Sequence, residues 1–202
     1  MTAAFIHPTA VVDEGAILGE DTKIWHFCHV SAGARIGRRC VLGQNVFVAA
    51  TAVIEDGCRI QNNVSLYDGV VLAEDVFVGP SAVFTNVVNP RAFIARKTEY
   101  RRTLVGRGAS LGANATVICG HDIGAFAFVA AGAVVTRPVP AHALVAGVPA
   151  RVVGWVCRCG VTLLREPKPR AVSCSACGDA YDVIRDGGGQ EALARDGSGD
   201  KT

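Results

Sequence analysis

Aliphatic residues recur at every sixth position, and the series keeps its phase to a single aromatic end: Ile6, Val12, Leu18, Ile24, Val30, Ile36, Leu42, Val48, Ile54, Ile60, Leu66, Leu72, Val78, Phe84. After one interruption it returns at Val105, Leu111, Val117, Ile123, Val129 and Val135. Four places after each apolar residue comes a small or thin one, among them Ala10, Ala16, Thr22, Cys28, Ala34, Cys40, Ala52 and Ala82. Gly, Asn or Asp fills the place before it, as at Gly15, Asp21, Gly33, Asn45, Gly57, Asn63, Gly69 and Asp75. These types tolerate the left-handed backbone of tight turns. Residues six apart do not hold one face of a 3.6-residue helix, and such frequent turn residues exclude long strands. The pattern therefore predicts an all-β solenoid. Each hexad is a short strand plus a turn, and three hexads close one coil of a parallel β-helix. About seven coils stacked at roughly 4.8 Å make a prism a little over ~30 Å long.

Three breaks organise the chain. The period stops at Pro90–Leu104, where Arg91, Arg96, Lys97, Arg101 and Arg102 face Glu99 alone. It ends near Pro138-Val139-Pro140, ahead of Ala146-Gly147-Val148-Pro149-Ala150-Arg151. From Asp186 the Gly-rich sequence reads as a disordered tail. The expected organisation is a β-helix over 1–138 with an extruded loop at 90–104, a tail segment at 139–154, a zinc-ribbon-like module at 155–185 and a disordered tail at 186–202.

Charge and cysteine usage narrow the partners. A net charge of +2 over 202 residues gives no basic field for nucleic acid. Neither a leader pattern nor a run of membrane-spanning length occurs, so a cytoplasmic protein without a membrane partner is expected. Cys28, Cys40 and Cys58 take the small inward position of their hexads, where free Cys acts as a small hydrophobe. Cys157-Arg-Cys159-Gly and Cys174-Ser-Ala-Cys177-Gly instead form two turn-borne pairs. Four thiolates suit a closed, structural tetrahedral zinc site, which leaves no open position for catalysis.

The period is also a ruler, because residues eighteen apart lie one above another. Asp68 falls beneath Asn86. With the loop wholly extruded, Val88 falls on His121 and Asn86 on Cys119. Asp68, Asn86 and His121 then share one edge at the root of the basic loop. His121 is the odd member of its hexad position, and a packed histidine satisfied by backbone is its other reading. A second column, His26, Gln44 and Asn62, runs up a different edge. There a ligand-binding role and turn capping by side-chain amides both stay open. Exposed Trp25, Phe27 and Phe47 suit a subunit interface.

A more specific resemblance follows. The segments Ile24-Trp-His-Phe-Cys-His29, Leu42-Gly-Gln-Asn-Val46, Ile60-Gln-Asn-Asn-Val64, Phe84-Thr-Asn-Val-Val-Asn-Pro-Arg91 and Cys119-Gly-His-Asp-Ile-Gly124 resemble, as a set, the nucleotide-linked 3-amino-sugar N-acetyltransferases of the hexapeptide-repeat class. Those enzymes acetylate UDP-2-acetamido-3-amino-2,3-dideoxyglucuronate or dTDP-3-amino-3,6-dideoxyhexoses for surface polysaccharide synthesis. The resemblance runs from Ile6 to about Trp155 and implies a left-handed helix, whereas crossover rules alone favour a right-handed path. It further implies a homotrimer with active sites between prisms and acetyl-CoA as co-substrate. The cofactor-binding set expected is Ala131, Gly132, Ala133, Arg137, Gly147, Pro149 and Arg151, which makes 139–154 a CoA-binding segment. Val148 replaces the family's usual Asn there. The substrate-binding set is His26, Gln44, Asn62, Tyr67, Asn89, Arg91, Lys97 and Glu99. For catalysis, Asn86 with Asp68 is expected to orient the amine and His121 to act as base, unless the departing CoA sulfur takes the proton. The UDP-linked glucuronate is the favoured acceptor on resemblance alone.

Other classes compete. A β-helix carbonic anhydrase needs three converging histidines, which His7, His26, His29, His121 and His142 do not supply by spacing. An O-acetyltransferase would leave the Asn-Pro-Arg loop unexplained, and a non-catalytic scaffold would leave the CoA-type segment idle.

Overall fold

The computed structural model describes residues 2–164, 171–185 and 191–195. Each hexad contributes a two- or three-residue strand, and the strands line up as three parallel sheets. The first face runs from Phe5–Ile6 through Lys23–Ile24 and Val41–Leu42 up to Phe128–Val129 and Ala143–Ala146. Val11–Val12 to Val134–Val135 form the second face. The third comprises Ile17–Leu18, Arg35–Ile36, Val53–Ile54, Val70–Leu72 and Thr103–Val105, continued by bridges from Val105 to Ile123 and on to Val139. The eighteen-residue register holds, as in Lys23↔Val41 and Arg35↔Val53. About seven coils result, as the period requires.

The apolar series fills the lumen. From Ile24 to Val135 every member is at most 2% exposed, whereas Ile6 on the open first coil is 42% exposed. Small inward residues do more than save space. Thr22 Oγ1 donates to the Gly37 carbonyl at 2.7 Å, and Cys28, Cys40 and Cys58 Sγ donate to the carbonyls of Gly43, Glu55 and Ala73 at 3.0, 3.1 and 3.1 Å. Each reaches a carbonyl fifteen residues on, satisfying a buried acceptor at the next corner.

Corners are tied from outside by a second rule. Asp56 Oδ1 accepts the Arg38 amide at 2.7 Å, Asn62 Oδ1 the Gln44 amide at 2.9 Å and Asp122 Oδ1 the Leu104 amide at 2.7 Å. In each case an oxygen reaches the coil eighteen residues earlier. A Cβ on Gly37 would lie 2.5 Å from that Asp56 oxygen, so the corner needs glycine for space.

The loop boundary differs from expectation. Val70–Leu72 pairs with Thr103–Val105, so Thr103 and Leu104 belong to the prism. The chain leaves after Asn86 and returns at Arg101, whose amide donates to the Asn86 carbonyl at 3.0 Å. Residues 87–100, not 90–104, are extruded.

At the far end, Ala143–Ala146 turns back antiparallel into Arg151–Val156, which pairs with Thr162–Leu164. Trp155 and Val156 are buried with the prism core, so the tail segment and the cysteine module share one strand rather than meeting at 154/155. Beyond lies an antiparallel sheet of Ala171–Ser173, Ala180–Arg185 and Glu191–Arg195. The disordered reading of the tail fails at Glu191–Arg195, where Leu193 is buried. Its other positions, 186–190 and 196–202, lie outside the described residues.

Candidate active site and cysteine centre

The returning end of the loop builds one edge of the prism. Thr103 donates its amide to the Gly69 carbonyl at 3.1 Å, Gly120 to Arg102 at 3.2 Å and Ile123 to Leu104 at 2.8 Å. His121 therefore sits above Thr103. Val88 does not lie beneath it, because the chain has already left the prism there. Val88 lines a pocket of about 260 Å³ with Asn89, Glu99 and Arg101. Arg101 also lies over Gly120: a Cβ there would be 3.1 Å from Arg101 Cδ. Arg101 thus joins the loop pocket to the residue before His121. It was missing from the expected site, although its place at the resumption of the period was the available signal.

Val83 pairs with Ser65, so the eighteen-residue register holds three residues before Asn86 and Asp68. The Asp68 carboxylate, however, is engaged with the coil below. It accepts the Thr51 hydroxyl at 2.8 Å and amide at 3.2 Å, and Thr51 Oγ1 accepts the Gly69 amide at 3.1 Å. Corner capping, not an approach to Asn86, occupies Asp68. Tyr67 shares this corner, with its ring tilted on Phe47 at 6.0 Å.

Within the loop, Arg96 Nη1 donates to both Glu99 oxygens at 2.8 and 2.9 Å across the 3₁₀ turn Lys97–Glu99. Glu99 lines the pocket already paired. Arg91, bonded to the Pro90 carbonyl at 2.9 Å, and Lys97 are exposed and do not line that pocket.

The His26, Gln44, Asn62 column belongs to the corner between the first and second faces. Asn62 caps Gln44 there, and Asn45 Nδ2 donates to Asn63 Oδ1 at 3.1 Å. His26 stacks on His7 at 3.5 Å between centroids, with Trp25 parallel at 6.2 Å. Burial, and then the neighbouring His26, lower the His7 pKa. Within one prism this column is a structural ladder, separate from the loop edge.

Of the cofactor set, Arg137 and Arg151 line a pocket of about 400 Å³, walled by Val135, Val139, Val145 and Val152. Val139 pairs with Ile123, so Arg137 precedes its partner by two residues as His121 does, one coil higher on the same edge. The Val134 amide donates to Gly147 at 3.0 Å and the Ala150 amide to Val134 at 2.7 Å, fixing the Gly147–Arg151 segment. Pro149 is exposed on this turn. Ala131 and Gly132 are exposed at a corner, Ala133 is buried, and none of the three lines the pocket.

The four cysteines converge as expected. Their sulfurs all lie within 4.8 Å of one another, with Cys157–Cys177 at 3.4 Å and Cys159–Cys174 at 3.6 Å. A tetrahedral zinc with Zn–S near 2.3 Å sets its sulfurs about 3.8 Å apart, so the donor set fits that ion. Amide hydrogen bonds from Cys177 and Ala176 draw the Cys174 thiol down to about 7. Tyr181 Oη lies 3.1 Å from Cys157 Sγ and accepts the Arg158 amide at 3.0 Å.

Comparison with known proteins agrees with the coil. The bacterial transferase hexapeptide repeat matches residues 15–50 and 51–86, and the hexapeptide repeat of succinyl-transferase matches 33–68 and 102–137. The chain is 41% identical to a dTDP-3-amino-3,6-dideoxy-α-D-galactopyranose 3-N-acetyltransferase of Aneurinibacillus thermoaerophilus, over 77% of this chain and 80% of that one. Serine acetyltransferase 4 of Arabidopsis thaliana is 35% identical, but the match spans 63% of this chain and only 29% of that protein. Among solved structures, the acetyltransferase domain of PglB from Neisseria gonorrhoeae FA1090, known also with acetyl coenzyme A, superposes with a TM-score of 0.53 at 22% identity. That match covers 74% of this chain and 57% of the domain, and shows the shared fold. The chain belongs to the hexapeptide-repeat acetyltransferases, and its prism is their left-handed parallel β-helix. Among the described residues no helix is long and apolar enough to cross a membrane.

Proposed function

We propose that this protein transfers the acetyl group of acetyl-CoA to the 3-amino group of a nucleotide-linked amino sugar. The observation that carries this reading is the edge on which Arg101, Gly120, His121 and Arg137 follow one another. It leads from the loop pocket to the pocket lined by Arg137 and Arg151. In the proposed complex, the acceptor occupies the loop end and the cofactor the other, with Arg151 pairing to a CoA phosphate.

The chemistry asks for placement first. A neutral amine attacks the thioester carbon, the C–N bond forms, and the C–S bond breaks to release CoA thiol. Asn86 orients the amine and backbone amides hold the oxyanion. His121 takes the amine proton as it is lost and passes it to the departing sulfur. Asp68 supports the site through the Thr51 corner.

The 41% identical relative supports a dTDP-linked 3-amino-3,6-dideoxyhexose as acceptor. UDP-2-acetamido-3-amino-2,3-dideoxyglucuronate is the second reading, supported by Arg101 as a counter-ion for a C6 carboxylate. The proposed assembly is a homotrimer. Exposed Phe5, Trp25 and Phe27 would be covered between prisms, and the His26 column would face a neighbour's loop. The cysteine tetrad is assigned a structural zinc ion.

Thiol release from acetyl-CoA, followed with both 3-amino-sugar nucleotides and with hydroxyl acceptors, tests the reading. Turnover confined to a 3-amino sugar is expected. Release with hydroxyl acceptors alone, or with none, would overturn it.

A further inference from the structure

The strand Arg151–Val156 has two different jobs at its two ends. Arg151 and Val152 wall the 400 Å³ pocket, while Trp155 and Val156 are buried and run directly into Cys157, the first residue of the sulfur cluster. About five residues of extended chain, roughly 17 Å, separate the pocket wall from the cluster. We propose that the tetrad holds a divalent zinc-type ion whose work is to set the cofactor pocket, so that acetyl-CoA affinity depends on metal occupancy. The proposal rests on the acetyl-CoA reading of that pocket.

What anchors this strand is unevenly distributed. At the pocket end it is exposed at Arg151, Val152 and Val153, and the Ala150 amide on Val134 secures the preceding turn. Its inner edge pairs with Ala143–Ala146, with a register shift between Leu144 and Val145. At the cluster end, Val156 donates to His142 at 2.8 Å, and Thr162–Leu164 covers the outer edge. Thr162–Leu164 is the returning strand of the hairpin whose connection carries Cys157 and Cys159.

The cysteine module also grips the prism. His142 stacks on Phe126 at 5.3 Å and meets Tyr181 edge-on at 5.0 Å, with its Nδ1 3.0 Å from the Val156 carbonyl. Tyr181 is fully buried and its hydroxyl reaches Cys157. Among the described residues of the module's three-stranded sheet, the buried apolar side chains are Tyr181 and Leu193. So small a core does not hold a fold by itself. Metal binding in such modules is folding free energy. Once the metal leaves, Tyr181 loses its frame, and Thr162–Leu164 loses the knuckle that returns it to the strand. The strand that carries Arg151 and Val152 then loses its outer partner at Trp155 and Val156, the stretch that anchors it to the module.

The test compares the full-length protein as purified with the same protein after chelation. Metal content is measured, and CoA binding is followed by calorimetry, which needs no acceptor sugar. One metal per chain and at least a tenfold weaker CoA Kd after chelation are expected, with restoration by zinc. Co(II) substitution should give the intense bands of a tetrahedral tetrathiolate site. His142→Ala, which leaves all four ligands in place, should retain metal yet weaken CoA binding, separating docking from module folding. Circular dichroism must show the prism intact in each form. Equal CoA affinity with and without metal, in folded protein, overturns the coupling alone. Metal-loaded protein that fails to bind CoA overturns the acetyl-CoA reading and this inference with it. A chain that binds no metal rejects the metal site and leaves the acetyltransferase reading standing.

Discussion

The Asp122 carboxylate accepts the Leu104 amide at 2.7 Å, tying the residue after His121 to the strand by which the loop returns to the prism. This side-chain bond joins the backbone bonds from Gly120 to Arg102 and from Ile123 to Leu104 in positioning the loop return and the candidate base. Asp122→Ala removes the acceptor and should cost about 1 kcal/mol, or a few degrees in melting temperature. It should also raise the acceptor KM more than the acetyl-CoA KM. Asp122→Asn keeps an oxygen at that place, as Asn62 does for Gln44, and should behave nearly as wild type. Equal losses in both variants would show that charge, not the cap, matters.

His121 faces the sharper kinetic test. Replacement by Ala should lower kcat by at least about 100-fold if the ring removes the amine proton, with melting temperature little changed. A loss of only a few-fold would assign the proton to the departing sulfur. The pH dependence of kcat in wild type and variant distinguishes the two routes.

How far the sequence carried this site depends on which property placed each residue. The hexad period depends only on inward size, so it gave the lumen, the eighteen-residue register and the edge holding Asn86 and His121. Thr103 shows its weakness. As the small inward residue two places before Val105 it already belongs to a coil, but a period counted from apolar residues starts only at Val105 and leaves Thr103 and Leu104 in the loop. Asp68 shows another. Its partner Thr51 is seventeen residues back, and no spacing rule says whether a corner carboxylate turns down or up. Glu191–Arg195 was hidden between Gly-rich runs, although Leu193 is the one large apolar residue there and is buried.

Arg151 lines the pocket proposed for acetyl-CoA, with one guanidinium nitrogen on the Ala150 carbonyl at 2.8 Å. That bond orients the side chain and leaves further donors for phosphate. Arg151→Ala should raise the acetyl-CoA KM about tenfold, the worth of one charge-assisted contact, while the acceptor KM holds. Dephospho-CoA and CoA compared on both proteins identify which phosphate is met: the variant should lose its preference for that group alone.

Acid stability follows from the outer corner ladder. The Arg38 backbone amide, reinforced by the Arg38 guanidinium, holds the Asp56 carboxyl below its ordinary range, and Arg39 adds to this at 3.6 Å. Between the two pKa values the unfolded chain binds more protons than the folded one, so stability rises with pH. The contribution is complete above the unfolded value, near ~3.9, and is lost as pH falls through the lower folded value. Asp21 is depressed in the same sense, first by the Thr2 hydroxyl, and adds to the same acid limb. Asp56→Asn keeps an oxygen for the Arg38 amide but cannot titrate. Its melting temperature should fall less steeply than wild type below about pH 4, while the two differ little in slope near neutrality. Parallel acid limbs in the two proteins would place the proton-linked stability in Asp21 or elsewhere, and would separate the ladder's geometry from its charge.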